Sequence, residues 1–210
     1  MRTLRLFLIF ICLWIPLAGA EGAESHTVTV RYVIDGDTVV LSDGRHLRYI
    51  GIDAPEIAHD GMPAEPFAEA SRRFNQELVS GVNIRLELEE ERKDRYGRLL
   101  SHLRLPDGRL AAEALLAAGL AHCLPNRPNT QYAEKFLELQ QEAMDHGRGK
   151  WHRWQKVPGP FAGNRQSLRV HRENCPFGRR IGQRNRVRFA SLWQAFHEGY
   201  APCKVCLGGN

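Results

Sequence analysis

Hydrophobic and polar positions alternate with two different periods along this chain, and the period changes mark its elements. Thr27 to Ile34 and Thr38 to Leu41 are rich in β-branched residues spaced two apart, which predicts two strands around an Asp35-Gly36-Asp37 turn. His46 to Ile52 reads as a third strand after the Ser42-Asp43-Gly44 turn, and Val82 to Glu89 and Leu99 to Leu105 read as two more around the polar segment 92–98. Three stretches carry helical spacing instead: Ala64 to Ser80, Leu110 to Ala118, and Gln131 to His146, where Tyr132, Phe136, Leu139 and Ala143 fall on one face. Five short strands with interleaved helices predict a mixed α+β domain, a small barrel braced by three helices.

The ends of the chain follow other patterns. Arg2 and Arg5 precede an apolar run from Leu6 to Leu17 and then Ala18-Gly19-Ala20, the order of a secretory signal peptide and too short for a comfortable membrane span. Residues 1–20 are therefore expected to be removed, leaving a mature chain that starts near Glu21, secreted or periplasmic, with no membrane association. Residues 21–156 form the first predicted domain. Val157-Pro158-Gly159-Pro160 and Gly163-Asn164 make the Pro/Gly-dense stretch between patterned regions, so a linker is placed at 157–164 and a small module at 165–210.

The 210-residue composition, 43% hydrophobic and 25% charged, excludes collagen, coiled coil and general disorder. Charge is unevenly spread. From Phe161 to Asn210 nine Arg or Lys residues face only Glu173 and Glu198, so the basic character lies in the tail. A basic tail suits a polyanion such as nucleic acid, and equally suits plain solubility.

Candidate chemistry sits in three segments of the first domain. Asp37 and Asp53 are hard oxygen donors at strand ends, the ligand type preferred by calcium. Pro55 stiffens the turn that carries Glu56, a candidate general base. Arg48 and Arg98 provide forks that grip phosphate oxygens in pairs. Asp35 reads as a turn residue bonding its own backbone, and His122 as a partly exposed strand residue.

Asp35-Gly36-Asp37-Thr38, then Arg48 through Glu56 with its Asp53-Ala54-Pro55-Glu56 end, then Asp94-Arg95-Tyr96-Gly97-Arg98, together resemble the staphylococcal nuclease (thermonuclease) family from about Val28 to Trp151. The resemblance implies an OB-fold barrel and calcium-dependent hydrolysis of DNA and RNA to 3′-phosphate and 5′-hydroxyl ends, with single-stranded or unpaired nucleic acid favoured. It also implies that the Ala54 carbonyl joins Asp37 and Asp53 on the metal, that Arg48 and Arg98 are catalytic, and that Arg95 and Tyr96 bind substrate. The family's second pocket tyrosine is absent, since 122–127 read His-Cys-Leu-Pro-Asn-Arg. A non-catalytic OB-fold that only holds single strands is the competing class, and the joint presence of Asp37, Asp53, Glu56, Arg48 and Arg98 argues against it.

Four cysteines lie beyond the signal segment. An even count in an exported protein suggests two disulfides. The spacing His171-x₃-Cys175 with Cys203-x₂-Cys206 suggests a tetrahedral Cys₃His zinc site, a staple that a small module with few large apolar side chains needs. Asn185 to Cys206 also resembles the metal-binding module of the Ada DNA-repair methyltransferase. That module has four cysteines on zinc and the first accepts a methyl group, so His171 in first position argues against methyl transfer here. Cys123 is read as a small buried apolar residue.

Overall fold

A computed structural model describes residues 27–154 and 157–208. The signal segment predicted at 1–20 lies outside the described residues.

The first region opens with strands β1 (Thr27–Val28), β2 (Val30–Val33), β3 (Thr38–Leu41), β4 (His46–Tyr49) and β5 (Ile52–Asp53). It continues through α1 (Ala68–Val79), β6 (Ile84–Glu87), β7 (Leu99–Arg104), α2 (Ala111–Ala117), β8 (His122–Cys123), α3 (Ala133–Asp145) and α4 (Trp151–Trp154). Six strands form one sheet in the order β1-β6-β7-β4-β3-β2, antiparallel except for the parallel β4–β7 pair. Because β1 and β2 are consecutive pieces of one run yet stand at opposite ends of that order, the run 27–33 feeds both edges and the sheet must curl. Val39, Leu41, Leu47, Leu103, Leu115, Leu116 and Phe136 fill its interior.

The mixed α+β reading holds, with element ends adjusted for local reasons. The expected strand 46–52 divides because Gly51 adopts φ +82°, so β5 leaves the main sheet and pairs with β8. The first helix starts at Ala68 rather than Ala64, because Phe67 adopts φ 69° after Pro66. His122 is buried, not partly exposed, because the rings of Trp151 and Phe196 lie against it at 4.8 Å.

The second region contains β9 (Pro158–Asn164), β10 (Arg169–Arg172), α5 (Pro176–Arg179), β11 (Arg186–Ser191), α6 (Leu192–His197) and β12 (Ala201–Pro202). Their sheet order is β11-β9-β10-β12. The stretch read as a linker is thus the inner strand β9. Its prolines lie outside the Phe161–Asn164 segment that pairs on both sides, where a missing N–H is tolerated. Gly163 serves packing rather than flexibility, since a Cβ there would come within 2.5 Å of the Phe189 ring and 2.7 Å of Tyr200.

The two regions share a core. Ala143, Met144 and Trp151 of the first cluster with Phe161, Phe189, Leu192 and Phe196 of the second. Gln140 Nε2 donates to the Phe196 carbonyl at 2.6 Å and Gln141 Nε2 to that of His197 at 2.9 Å, satisfying carbonyls at the end of α6. Among the described residues no helix is long and apolar enough to cross a membrane.

Candidate active site

The acidic pair is built by two turns brought together at the mouth of the curled sheet. Asp35 accepts the Asp37 N–H at 2.9 Å, so it does act as a turn residue. Gly36 lets that turn approach α1, because a Cβ there would fall 1.9 Å from Ser71 Oγ. Asn75 on α1 holds the same turn, donating to the Asp35 carbonyl at 3.1 Å and bonding Tyr49 Oη at 2.7 Å.

Asp37 and Asp53 are both buried and bracket Arg48. Asp37 Oδ1 accepts from Arg48 Nη1 at 2.6 Å and from Thr38 Oγ1 at 2.9 Å, while its Oδ2 accepts the Ala54 N–H at 2.7 Å. Asp53 Oδ1 accepts from Arg48 Nη2 at 3.0 Å. Burial opposes the Arg48 charge, but the two carboxylates outweigh it and hold the guanidinium charged. Burial, with Asp37 alongside, pushes Asp35 up to about 8. Burial also raises Glu56 above the ordinary carboxylate range, against the lowering effect of Lys204.

Glu56, Arg48, Arg95, Tyr96 and Arg98 line one groove of about 990 Å³. Arg98 is held by Asp94, with Nε 2.7 Å from Oδ2, and it lines the same groove. Tyr96 is 69% exposed, with Arg95 and Arg98 at 4.7 and 5.5 Å from its ring centroid. That sets an exposed aromatic ring beside two cations, residue types suited to a base and its phosphates. Leu124 and Asn126 occupy the groove wall in the segment that lacks a second tyrosine.

Three groups at this site were not foreseen. Arg169 Nη1 lies 2.5 Å from Asp53 Oδ2. Lys204 Nζ lies 3.0 Å from the Ala54 carbonyl and 3.1 Å from Glu65 Oε2. Glu65 Oε2 in turn accepts the Glu56 N–H at 3.1 Å. Burial by itself would raise Asp53, yet Arg169 and Lys204 outweigh it and hold the carboxyl well below its usual range. Nearby, burial drives both His122 and Lys150 toward their neutral forms, each aided by neighbouring cations.

In the tail, the ligand atoms of His171, Cys175, Cys203 and Cys206 all lie within 4.8 Å of one another. All four described cysteines are free thiols, and Cys123 is buried, its thiol pushed up to about 12. Zinc–sulfur bonds of about 2.3 Å in a tetrahedron put sulfurs about 3.8 Å apart, so the donor set has the spread and chemistry for zinc. Among the tail arginines, Arg179, Arg180, Arg184 and Arg188 are exposed, whereas Arg186 turns inward to the carbonyls of Gly178, Arg179 and Ile181.

A helix-braced, curled sheet whose mouth sets paired carboxylates beside fixed arginines defines a class of domain built to engage phosphodiesters. The sequence description of staphylococcal nuclease homologues matches residues 46–153, and the chain belongs to that family. A thermonuclease of Staphylococcus hyicus is 34% identical over 137 residues, covering 64% of this chain and 80% of that protein. Endonuclease YncB of Bacillus subtilis is 36% identical over 129 residues, covering 59% of this chain and 61% of its own length. An uncharacterized endonuclease of Escherichia coli O157:H7 is 32% identical over 161 residues, covering 75% of this chain and 95% of its own.

Proposed function

We propose that this chain is an exported nuclease that hydrolyses phosphodiester bonds of DNA and RNA, in a calcium-dependent reaction, to 3′-phosphate and 5′-hydroxyl ends. The observation that carries the reading is a groove lined by Arg48, Asp53, Glu56 and Arg98 that also presents Tyr96, with Asp37 bonded to Arg48 behind it. A domain that merely held single strands would have no use for buried carboxylates bracketing an arginine.

Asp37, Asp53 and the Ala54 carbonyl are hard oxygen donors of the class calcium takes, and a cation, the Lys204 ammonium, already rests against that carbonyl, so the position attracts positive charge. They are the proposed ligands, and bound calcium would stabilise charge on a phosphate oxygen. Glu56 takes the proton of the attacking water at its carboxylate, and its raised pKa makes it a better base than an ordinary glutamate. Arg48 and Arg98 hold phosphate oxygens from two sides and neutralise charge that builds in the transition state. Arg95 and Tyr96 seat the neighbouring nucleotide, with Tyr96 favouring unpaired bases.

The tail is proposed to bind one structural zinc through His171, Cys175, Cys203 and Cys206, supported by their mutual distances and free thiols. Its exposed arginines are proposed to add phosphate contacts. Removal of residues 1–20 completes the reading by placing the protein outside the cytoplasm. Incubating the mature protein with labelled single-stranded DNA, in calcium and in excess chelator, tests the activity directly. Binding without cleavage in calcium would leave a single-strand-binding protein.

A further inference from the structure

The second region places two cations on the atoms proposed to hold the metal. Lys204 Nζ donates to the Ala54 carbonyl at 3.0 Å and Glu65 Oε2 at 3.1 Å, with Glu56 Oε1 at 3.6 Å and Asp53 Oδ2 at 3.7 Å. Arg169 Nη1 sits on the other side of that Asp53 oxygen and also donates to the Pro202 carbonyl at 2.8 Å. The Lys204 side chain is only 29% exposed. Facing these groups among the described residues are Asp35, Asp37, Asp53, Glu56 and Glu65, with Arg48, Lys150 and His122 as basic groups of the first region.

The ammonium and a divalent ion would compete for the same carbonyl and carboxylate oxygens. Calcium lies about 2.4 Å from an oxygen ligand. With Nζ 3.0 Å from the same Ala54 oxygen, ion and ammonium would stand within about 5 Å of each other, both deep in one acidic pocket. Nor does the tail present Lys204 loosely. It follows Cys203, whose N–H bonds the Val170 carbonyl and whose own carbonyl accepts the Leu207 N–H, each at 2.9 Å, and the thiols of Cys203 and Cys206 on either side belong to the Cys₃His cluster.

We propose that Lys204 is a built-in competitor for the divalent cation: its ammonium fills the cation position in the described conformation, and an incoming ion must displace it. Arg169 reinforces the competition by engaging Asp53. The proposal rests on the reading of Asp37, Asp53 and Ala54 as calcium ligands. It makes the tail a determinant of the calcium concentration at which the nuclease switches on.

Isothermal titration of calcium into the full mature chain, without substrate, is the test. K204M keeps the packed stem and removes the charge, and is expected to bind calcium at least tenfold more tightly. R169M, which leaves Lys204 in place, is expected to tighten binding several-fold, and it supplies a second variant should K204M fold poorly by circular dichroism. D37N separates the two readings. If D37N binds calcium as well as the unaltered chain, the ligand assignment itself fails. If D37N abolishes binding while folded K204M and R169M bind as weakly as the unaltered chain or more weakly, the ligand assignment stands and the competitor is refuted. Cleavage by the unaltered chain in excess chelator that vanishes in K204M also overturns it, since the ammonium would then serve in place of the metal.

Discussion

Phe196 is one of the residues through which the tail holds the nuclease region, and Phe196→Ala should destabilise both together. Its side chain is fully buried, with ring centroids 5.7 Å from Trp151 and 4.8 Å from His122, and its carbonyl accepts from buried Gln140. Truncating a buried Phe costs about 3–5 kcal/mol in transfer and cavity terms. Rigid packing around Trp151 and Leu192 leaves little room for collapse, so the upper half of that range applies. Against a total stability of about 5–15 kcal/mol, that is a large fraction. With a urea dependence of about 2–3 kcal/mol per molar, the midpoint should fall by more than about 1 M. Urea titrations followed by tryptophan fluorescence and by far-ultraviolet circular dichroism should show one coincident transition, displaced as a whole. A first transition confined to the tail, followed by a second at the original midpoint, would refute the shared core.

Other expectations are simpler to state. Glu56→Gln should lower kcat by a factor on the order of 10² or more with little change in substrate affinity, read by single-turnover cleavage and by equilibrium binding. Arg98→Lys, which keeps charge but loses the fork, should lower kcat/KM at least tenfold in the same assays. Elemental analysis should find one zinc per full chain, and stripping it should unfold the tail; two disulfides by mass spectrometry would refute that site. His102 is buried beside Glu89 at 2.6 Å, and desolvation lowers its pKa despite the carboxylate. The unfolded chain therefore takes up a proton near pH 6.5 that the folded chain resists, so stability is complete above that pH and declines as pH falls through it. His102→Gln should make the urea midpoint less sensitive to pH between 7 and 5, while the other buried imidazoles, His122 and His171, act equally in both proteins.

What could be read from the sequence was local. The Asp35-to-Thr38 turn, the Asp53-to-Glu56 turn and the Asp94-to-Arg98 turn each carry their own geometry within a few residues, and in that order they carry the resemblance to the nuclease family through which the candidate groups were read. Strand alternation likewise located the main sheet, because one face of each strand meets the core. Arg169 and Lys204 gave no such signal, since they reach Asp53 and Ala54 across separations of 116 and 150 residues. Lys204 was further hidden between two cysteines whose spacing accounts for the segment without it. The strand at 158–164 was hidden by composition: proline and glycine mean a linker in isolation, but at Gly163 the missing side chain makes space for two aromatic rings. His122 illustrates the same limit, because half of what buries it comes from α6.

The route from the tail to the site has two branches, and they converge on one residue. Arg169 touches the Asp53 carboxylate directly. The second branch runs through backbone: α6 packs on His122, Gln140 clamps both the Phe196 carbonyl and, at 2.7 Å, the Cys123 N–H, and β8 pairs His122 with Asp53 of β5. α6 is thereby linked through Gln140 and β8 to the strand that carries Asp53. Cutting the chain after Pro160 would do more than remove basic residues. It would uncover Trp151 and Met144, leave the Gln140 amide without its acceptor, and strip Arg169 and Lys204 from the acidic pocket. The tail is on these grounds a wall of the nuclease site as well as an appendage to it.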